Sequence, residues 1–257
     1  MILYALIGKT LHHSFSASFF TNEFADKHIC ASYINCEMPS VEGVGQMLAE
    51  RPALRGFNVT IPYKRDIIPL LDTVSPRAAR IGAVNTVVVE RTGNSIKLHG
   101  YNTDAPGFRD SLLPILPENR SGLKALILGT GGASAAVADA LDELDITYTF
   151  VSRNCQGKNN CIAYSDITEE EMETHRIIIN TTPLGTTPDT ALAPPIPYGM
   201  ISKEHICHDL VYNPAMTRFM RLCADRWATV KNGLEMLHNQ ALLSYILWTG
   251  TDLRTIK

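Results

Sequence analysis

The sequence predicts an α/β protein of two domains, each with a mostly parallel sheet covered by helices. Three observations carry that reading. Short apolar runs alternate with segments of helical period, the order expected when strands pair in parallel and helices make the crossovers. The alternation comes in two series that meet near residues 102–105, and the second opens with an apolar strand that ends in glycines and passes into a helix. At ~100–200 residues per domain, 257 residues suffice for two modest domains.

In the first series Ile2–Gly8 is a continuous apolar run of strand length. A helix near Ser16–Lys27, a strand at Ser32–Met38, a helix near Val41–Glu50 and a strand at Arg55–Thr60 follow. Ala83–Glu90 and Ser95–Tyr101 flank Thr92-Gly93-Asn94 as a hairpin that would close the first sheet. In the second series Lys124–Gly129 is a strand and Gly132–Leu144 a helix; Thr147–Ser152, Ile177–Thr181, His205–Tyr212 and Thr229–Lys231 are strands. The proline-rich Pro188–Pro197 reads as a surface loop. Leu234–Trp248 is a long helix with a broad apolar face that packs back on the first domain. The domains expected are 1–103 with about 236–257, and 104–235.

Hydrophobic residues make up 45% of the chain and charged ones 19%, which excludes a disordered or fibrous protein. Against 26 acidic residues stand 23 Lys and Arg, so the formal charge of −3 lacks the basic surplus that a nucleic-acid partner demands. The six cysteines form no CxxC pair and have no histidine at zinc-finger spacing, so free buried thiols in a reducing cytoplasm are expected. No metal site is expected: His12 and His13 are adjacent, and His205 and His208 would point to opposite faces of a strand, as structural or surface residues. The apolar start lacks the basic flank and cleavage site of a signal peptide, so the sequons at Asn58 and Asn180 are expected to stay unglycosylated. Polar residues such as Glu235, His238 and Ser244 interrupt the C-terminal helix, far short of the ~18 apolar residues of a membrane span.

Leu126-Ile127-Leu128-Gly129-Thr130-Gly131-Gly132-Ala133-Ser134 leads into the helix-forming Ala135-Ala136-Val137-Ala138. Strand, tight turn and helix N-terminus in that order present free backbone N–H groups to a pyrophosphate, and the missing Cβ atoms let it come close. Gly129, Gly131, Gly132 and Ala133 are therefore candidate contacts of a dinucleotide in a Rossmann-like domain, although a glycine pair alone would also serve a purely structural turn. About 20 residues on, the next strand ends in Ser152-Arg153-Asn154 and lacks the carboxylate that would receive the ribose hydroxyls of NAD. Arg153 can grip a 2′-phosphate with its planar fork, with Ser152 and Asn154 as further donors, so NADP(H) is the expected cofactor.

Four polar clusters lie in or beside the first series. His13-Ser14-Phe15-Ser16 could simply cap a helix, and Lys64 in Gly56-Phe57-Asn58-Val59-Thr60-Ile61-Pro62-Tyr63-Lys64 could be a solvated lysine. Gly82-Ala83-Val84-Asn85-Thr86 and Gly100-Tyr101-Asn102-Thr103-Asp104 put polar side chains at strand ends, with Asp104 able to cap the helix that Pro106 helps start. Together with the glycine loop, Asn180-x-Thr182-Pro183-x-Gly185 and Asn232-Gly233-x-x-Met236-Leu237-x-x-Gln240-Ala241, they stand in the order found in shikimate dehydrogenases. The sequence resembles that family from Gly8 to Gly250. Ala17 and Arg218 stand where the family usually has proline, which alters local backbone rigidity and touches no polar group.

The resemblance implies a substrate-binding N-terminal domain and an NADP-binding domain, with a role for each matched residue. Ser14 and Ser16 would hold a substrate carboxylate, and Thr60, Asn85, Asp104 and Gln240 the ring hydroxyls. Lys64 and Asp104 would be the catalytic pair, Tyr212 would border the site, and Thr182, Gly233 and Met236 would bind cofactor. Met236 equally fits a core stripe, and Tyr212 the end of a buried strand. The implied activity is the reversible NADPH-dependent reduction of 3-dehydroshikimate to shikimate, an oxidoreductase step toward chorismate and the aromatic amino acids. It would be carried out in the cytoplasm by a monomer or homodimer with no membrane partner. Lys64 would donate the proton as charge builds on the carbonyl oxygen. Three readings stay beside this one. Arg153 weighs against an NAD-linked quinate/shikimate dehydrogenase, the presence of both Lys64 and Asp104 against a non-catalytic sensor, and Ser14, Ser16, Asn85 and Gln240 against a methylenetetrahydrofolate dehydrogenase of similar plan.

Overall fold

The computed structural model describes residues 1–11, 15–155 and 160–256. They form two compact units, Met1–Thr103 with Gln240–Lys257 and Asp104–Asn239. Among the described residues no helix is long and apolar enough to cross a membrane.

The first unit contains β1 (Ile2–Gly8), α1 (Phe15–Asp26), β2 (Ala31–Glu37), α2 (Val44–Glu50), β3 (Leu54–Val59), β4 (Thr73–Val74), α3 (Pro76–Ile81), β5 (Thr86–Thr92) and β6 (Ser95–Tyr101). Its sheet runs β2-β1-β3-β5-β6-β4. β1 is parallel to both neighbours, and β5 is antiparallel to β3 and β6. The continuous apolar run of β1 follows from burial on both faces. Ala5 and Ile7 join a core with Val44, Met47 and Phe57, whereas Tyr4 and Leu6 join Phe20, Phe24, Tyr245 and Trp248. The C-terminal helix thus packs on this unit. The hairpin forms as its turn residues predict, yet it does not close the sheet: the two-residue β4 pairs with β6 outside it. The sequence reading also passes over α3, although Ser75 caps it, Pro76 starts it and Gly82 stops it.

The second unit contains α4 (Asp104–Leu112), β7 (Lys124–Leu128), α5 (Gly132–Glu143), β8 (Thr147–Val151), β9 (Cys161–Ile162), α6 (Glu169–Thr174), β10 (Ile177–Asn180), β11 (Ile206–Asp209), α7 (Arg218–Ala224), β12 (Thr229–Lys231) and the start of α8 (Leu234–Thr249). All its strand pairs are parallel, in the order β12-β11-β10-β7-β8-β9. Ala125, Ile127, Ile177 and Ile179 face one core and Leu126, Leu128, Ile178 and Cys207 the other. The strand order reverses between β7 and β10, and the carboxyl ends of the strands at such a point form a ligand crevice.

Two expectations need correction here. The strand expected over His205–Tyr212 stops at Asp209, because Val211 N–H donates to Asp209 Oδ1 at 3.0 Å and so turns the chain. The cysteines are not all free and buried. Parallel pairing of Phe150 with Cys161 brings Cys161 beside the end of β8, where it forms a disulfide with Cys155 at a Cα–Cα distance of 5.5 Å. Cys30 is exposed and Cys36 half-buried, leaving Cys207 and Cys223 as the buried free thiols. The thiol argument for a reducing compartment loses its basis accordingly. Of the two roles open to His205 and His208, the structural one holds, since both are buried inside the unit.

Candidate active-site residues

At the carboxyl end of β7, Gly129 adopts φ +113°, and a Cβ there would come 2.8 Å from Thr181 Oγ1. The loop beyond it is held by hydroxyls. Gly131 N–H donates to Ser134 Oγ at 3.1 Å, Ser134 lies 2.7 Å from Thr181 Oγ1, and the Thr181 hydroxyl donates to Leu128 O at 2.6 Å. Ser134, in the place of the third fingerprint glycine, therefore ties the loop across the switch point to β10. Gly131 and Gly132 differ from Gly129, since a Cβ on either meets no protein atom within 4 Å. Packing does not demand glycine at these two positions, whereas the close approach of a pyrophosphate to bare backbone at a helix N-terminus does. On this ground the residues present fit a dinucleotide.

The next strand end also suits NADP. Ser152 N–H donates to Ile162 O at 3.0 Å, and Ser152 Oγ accepts Asn154 N–H at 3.3 Å, giving a tight turn that leaves Arg153 and Asn154 exposed. The segment 152–154 presents a guanidinium and no carboxylate. Thr182, after β10, is half-buried, and Tyr212, after β11, likewise. Burial pushes the Tyr212 hydroxyl above its ordinary pKa. Gly233 and Met236 have packing reasons of their own: a Cβ on Gly233 would sit 2.0 Å from Leu210 O, and Met236 lies in the core with Phe108 and Ile127.

In the first unit, Asn85 belongs to a buried polar network. Asn85 Nδ2 donates to Thr103 Oγ1 at 2.9 Å, and its Oδ1 accepts Thr103 N–H at 2.7 Å, so both ends of the amide are held. Asn58 accepts from the Tyr33 hydroxyl at 2.8 Å and donates to Ser244 Oγ at 2.9 Å and Thr86 Oγ1 at 3.1 Å. Ser244 in turn donates to Gln240 O at 2.8 Å. Ser16 is buried in the first turn of α1, where its hydroxyl acts on the deeply buried Tyr33 phenol. Thr60 follows β3 with its N–H on Ile7 O at 3.0 Å, and Lys64 is half-buried with its carbonyl accepting Val84 N–H at 2.7 Å. Asp104 is buried and opens α4 in the second unit. His13 and Ser14 lie outside the described residues.

Sequence reading attached no role to Tyr33, Asn58, Thr86, Thr103 or Ser244. Asn58, Thr86 and Thr103 stand inside the quoted motifs, and Ser244 is visible only as a polar break in an apolar helix. Buried polar groups require partners, and here they find them in one another.

The model of the shikimate dehydrogenase substrate binding domain matches residues 6–87. A shikimate dehydrogenase (NADP(+)) of Carboxydothermus hydrogenoformans is 35% identical over 267 residues, which span 97% of this chain and 92% of that protein. The crystal structure of shikimate 5-dehydrogenase from Thermus thermophilus, in complex with NADP(H) and shikimate, superposes with a TM-score of 0.84 at 34% identity, covering 98% of this chain and 95% of the other. The ligand-free 5-ketofructose reductase of Gluconobacter sp. strain CHM43 superposes at 0.82 with 29% identity over 98% and 94% of the two chains.

Proposed function

The chain belongs to the shikimate dehydrogenase family, and from that premise we infer how its own residues serve the family's reaction. It catalyses the reversible NADPH-dependent reduction of 3-dehydroshikimate to shikimate in the shikimate pathway. One observation carries this assignment: the chain matches over 98% of its length a structure holding both NADP(H) and shikimate.

The first unit takes the substrate and the second the cofactor. When bound, NADPH supplies the hydride that reduces the ring ketone. Backbone N–H groups at Gly132 and Ala133, which bare Gly131 lets a ligand approach, receive the pyrophosphate, and Arg153 with Ser152 and Asn154 the 2′-phosphate. Ser14 and Ser16 hold the carboxylate of the substrate; Thr60, Asn85, Asp104 and Gln240 hold its hydroxyls. As negative charge grows on the carbonyl oxygen, the Lys64 ammonium stabilises it and donates the proton, with Asp104 as the partner carboxylate of the pair. The pinned Asn85 amide supports its role, because a group already held loses little entropy on meeting the ligand. Every residue invoked comes from one chain, so a monomer and a homodimer would work alike, and the biosynthetic role favours the cytoplasm.

Steady-state rates for shikimate and quinate, each with NADP and with NAD, test the proposal. Shikimate with NADP is expected to exceed shikimate with NAD by at least about tenfold, the worth of one charge-assisted hydrogen bond at Arg153, and to exceed quinate with either cofactor. Equal efficiency with NAD, or a dominant rate on quinate, would overturn the cofactor or the substrate assignment respectively.

A further inference from the structure

Asp209 sits at the carboxyl end of β11, in register with Asn180 at the end of β10, and is completely buried. Three donors from three segments converge on its carboxylate. Asn180 Nδ2 reaches Oδ1 at 2.9 Å, Val211 N–H reaches the same oxygen at 3.0 Å, and the hydroxyl of Thr217, which caps α7, reaches Oδ2 at 2.6 Å. The two ends of an amide differ little in shape, and the carboxylate decides which way Asn180 faces. With its NH2 end on Asp209, the carbonyl end turns to Thr182 and accepts both its N–H at 3.0 Å and its hydroxyl at 2.6 Å. The reversed amide would set oxygen against carboxylate on one side and NH2 against two donors on the other. Thr182 thus has its only hydroxyl proton committed to Asn180, and it accepts Leu184 N–H at 3.3 Å. Its hydroxyl can therefore meet a ligand only as an acceptor.

We propose that Asp209 is a positioning residue for the cofactor: acting through the Asn180 amide, it fixes the Thr182 loop with the hydroxyl presented to a bound dinucleotide as a hydrogen-bond acceptor. The proposal rests on the assignment of Thr182 to the cofactor site. Stability is a poor explanation for this residue, since burial raises the Asp209 carboxyl to about 6 and its ionised form is the costlier one inside the fold. An asparagine would be cheaper to bury, but it offers one acceptor oxygen where three donors need two.

The test is NADPH binding by fluorescence titration, shikimate KM and kcat, and thermal unfolding, for Asp209→Asn, Thr182→Val and the unaltered protein. Asp209→Asn is expected to stay folded and bind NADPH about tenfold more weakly, a loss of about 1.4 kcal/mol, with shikimate KM within about twofold. Thr182→Val is expected to show a comparable loss. A folded Asp209→Asn with unchanged NADPH affinity, or one in which NADPH and shikimate weaken together, overturns the proposal. If Asp209→Asn does not fold, Thr217→Val removes one donor and leaves the carboxylate; a loss of about threefold for NADPH supports the proposal, and no loss overturns it. Failure of the underlying assignment looks different: Thr182→Val would bind NADPH normally, or the unaltered protein would not bind it.

Discussion

Gly131→Ala separates what the fold needs from what the ligand needs. Gly131 caps α5 at φ −85° and ψ −171°, a conformation alanine adopts freely, and the added Cβ would touch no protein atom within 4 Å. Alanine restricts the unfolded chain, worth ~0.4–1 kcal/mol, and gives up a cap preference of similar size. Stability should therefore stay within about 0.5 kcal/mol, a shift of about 1 °C in Tm for a chain of this length. Cofactor affinity should not survive so well. A methyl group at the helix N-terminus pushes a phosphate off at least one charge-assisted hydrogen bond, worth ~1.5–3 kcal/mol or about 10–150-fold in Kd. Thermal unfolding of the unliganded protein reads the first quantity and NADPH fluorescence the second. Gly233→Ala is the contrasting control: its Cβ would lie 2.0 Å from the backbone oxygen of Leu210, so it should lose ~1–3 kcal/mol of stability whether or not cofactor is bound. Normal NADPH affinity in folded Gly131→Ala would refute the phosphate cradle.

Lys64→Ala should lower kcat by ~10²–10⁴-fold with a smaller change in substrate KM, as for a lost general acid; a near-normal kcat would remove Lys64 from the chemistry. His208 should couple stability to pH. Burial first, then the Lys231 charge, lower its pKa to about 3, so its contribution is complete above about pH 6.5 and is lost as pH falls toward about 3. Relative to His208→Phe, the unaltered protein should lose about 2 kcal/mol between pH 7 and pH 5, while Asp209, raised to about 6, acts in the opposite sense in both. Denaturant unfolding of the two proteins at both pH values checks this, and parallel pH profiles would refute it. Alkylation of the denatured, unreduced chain should label the four free cysteines and spare Cys155 and Cys161, with six labelled after reduction. Six labelled without reductant would show that the bond does not form.

Much of the candidate site is legible in the sequence because its signals are local. Gly129 must turn the chain at φ +113°, a strand must precede it and a helix must follow, and these demands fall on neighbouring residues. The lack of a carboxylate at 152–154 is likewise a fact about one strand end. The motif order carried the family. Gly233 and Met236 show the limit of that legibility, since the positions were picked out for a ligand and the structure supplies packing reasons for both.

By itself, then, the sequence determined the alternation of strands and helices, the glycine loop and the set of candidate site residues, because hydrophobic period and turn stereochemistry act over a few residues. Only the tertiary structure decided how those residues are held. Ser244 meets Asn58, Thr86 and Thr103 across 141 to 186 positions of chain, Asp209 gathers donors from three segments, and Cys161 reaches Cys155 because β9 lies beside β8. The physical reason is that a buried polar group must find a partner wherever the fold brings one. Which partner that is depends on the packing of whole sheets, and no stretch of neighbouring residues encodes it.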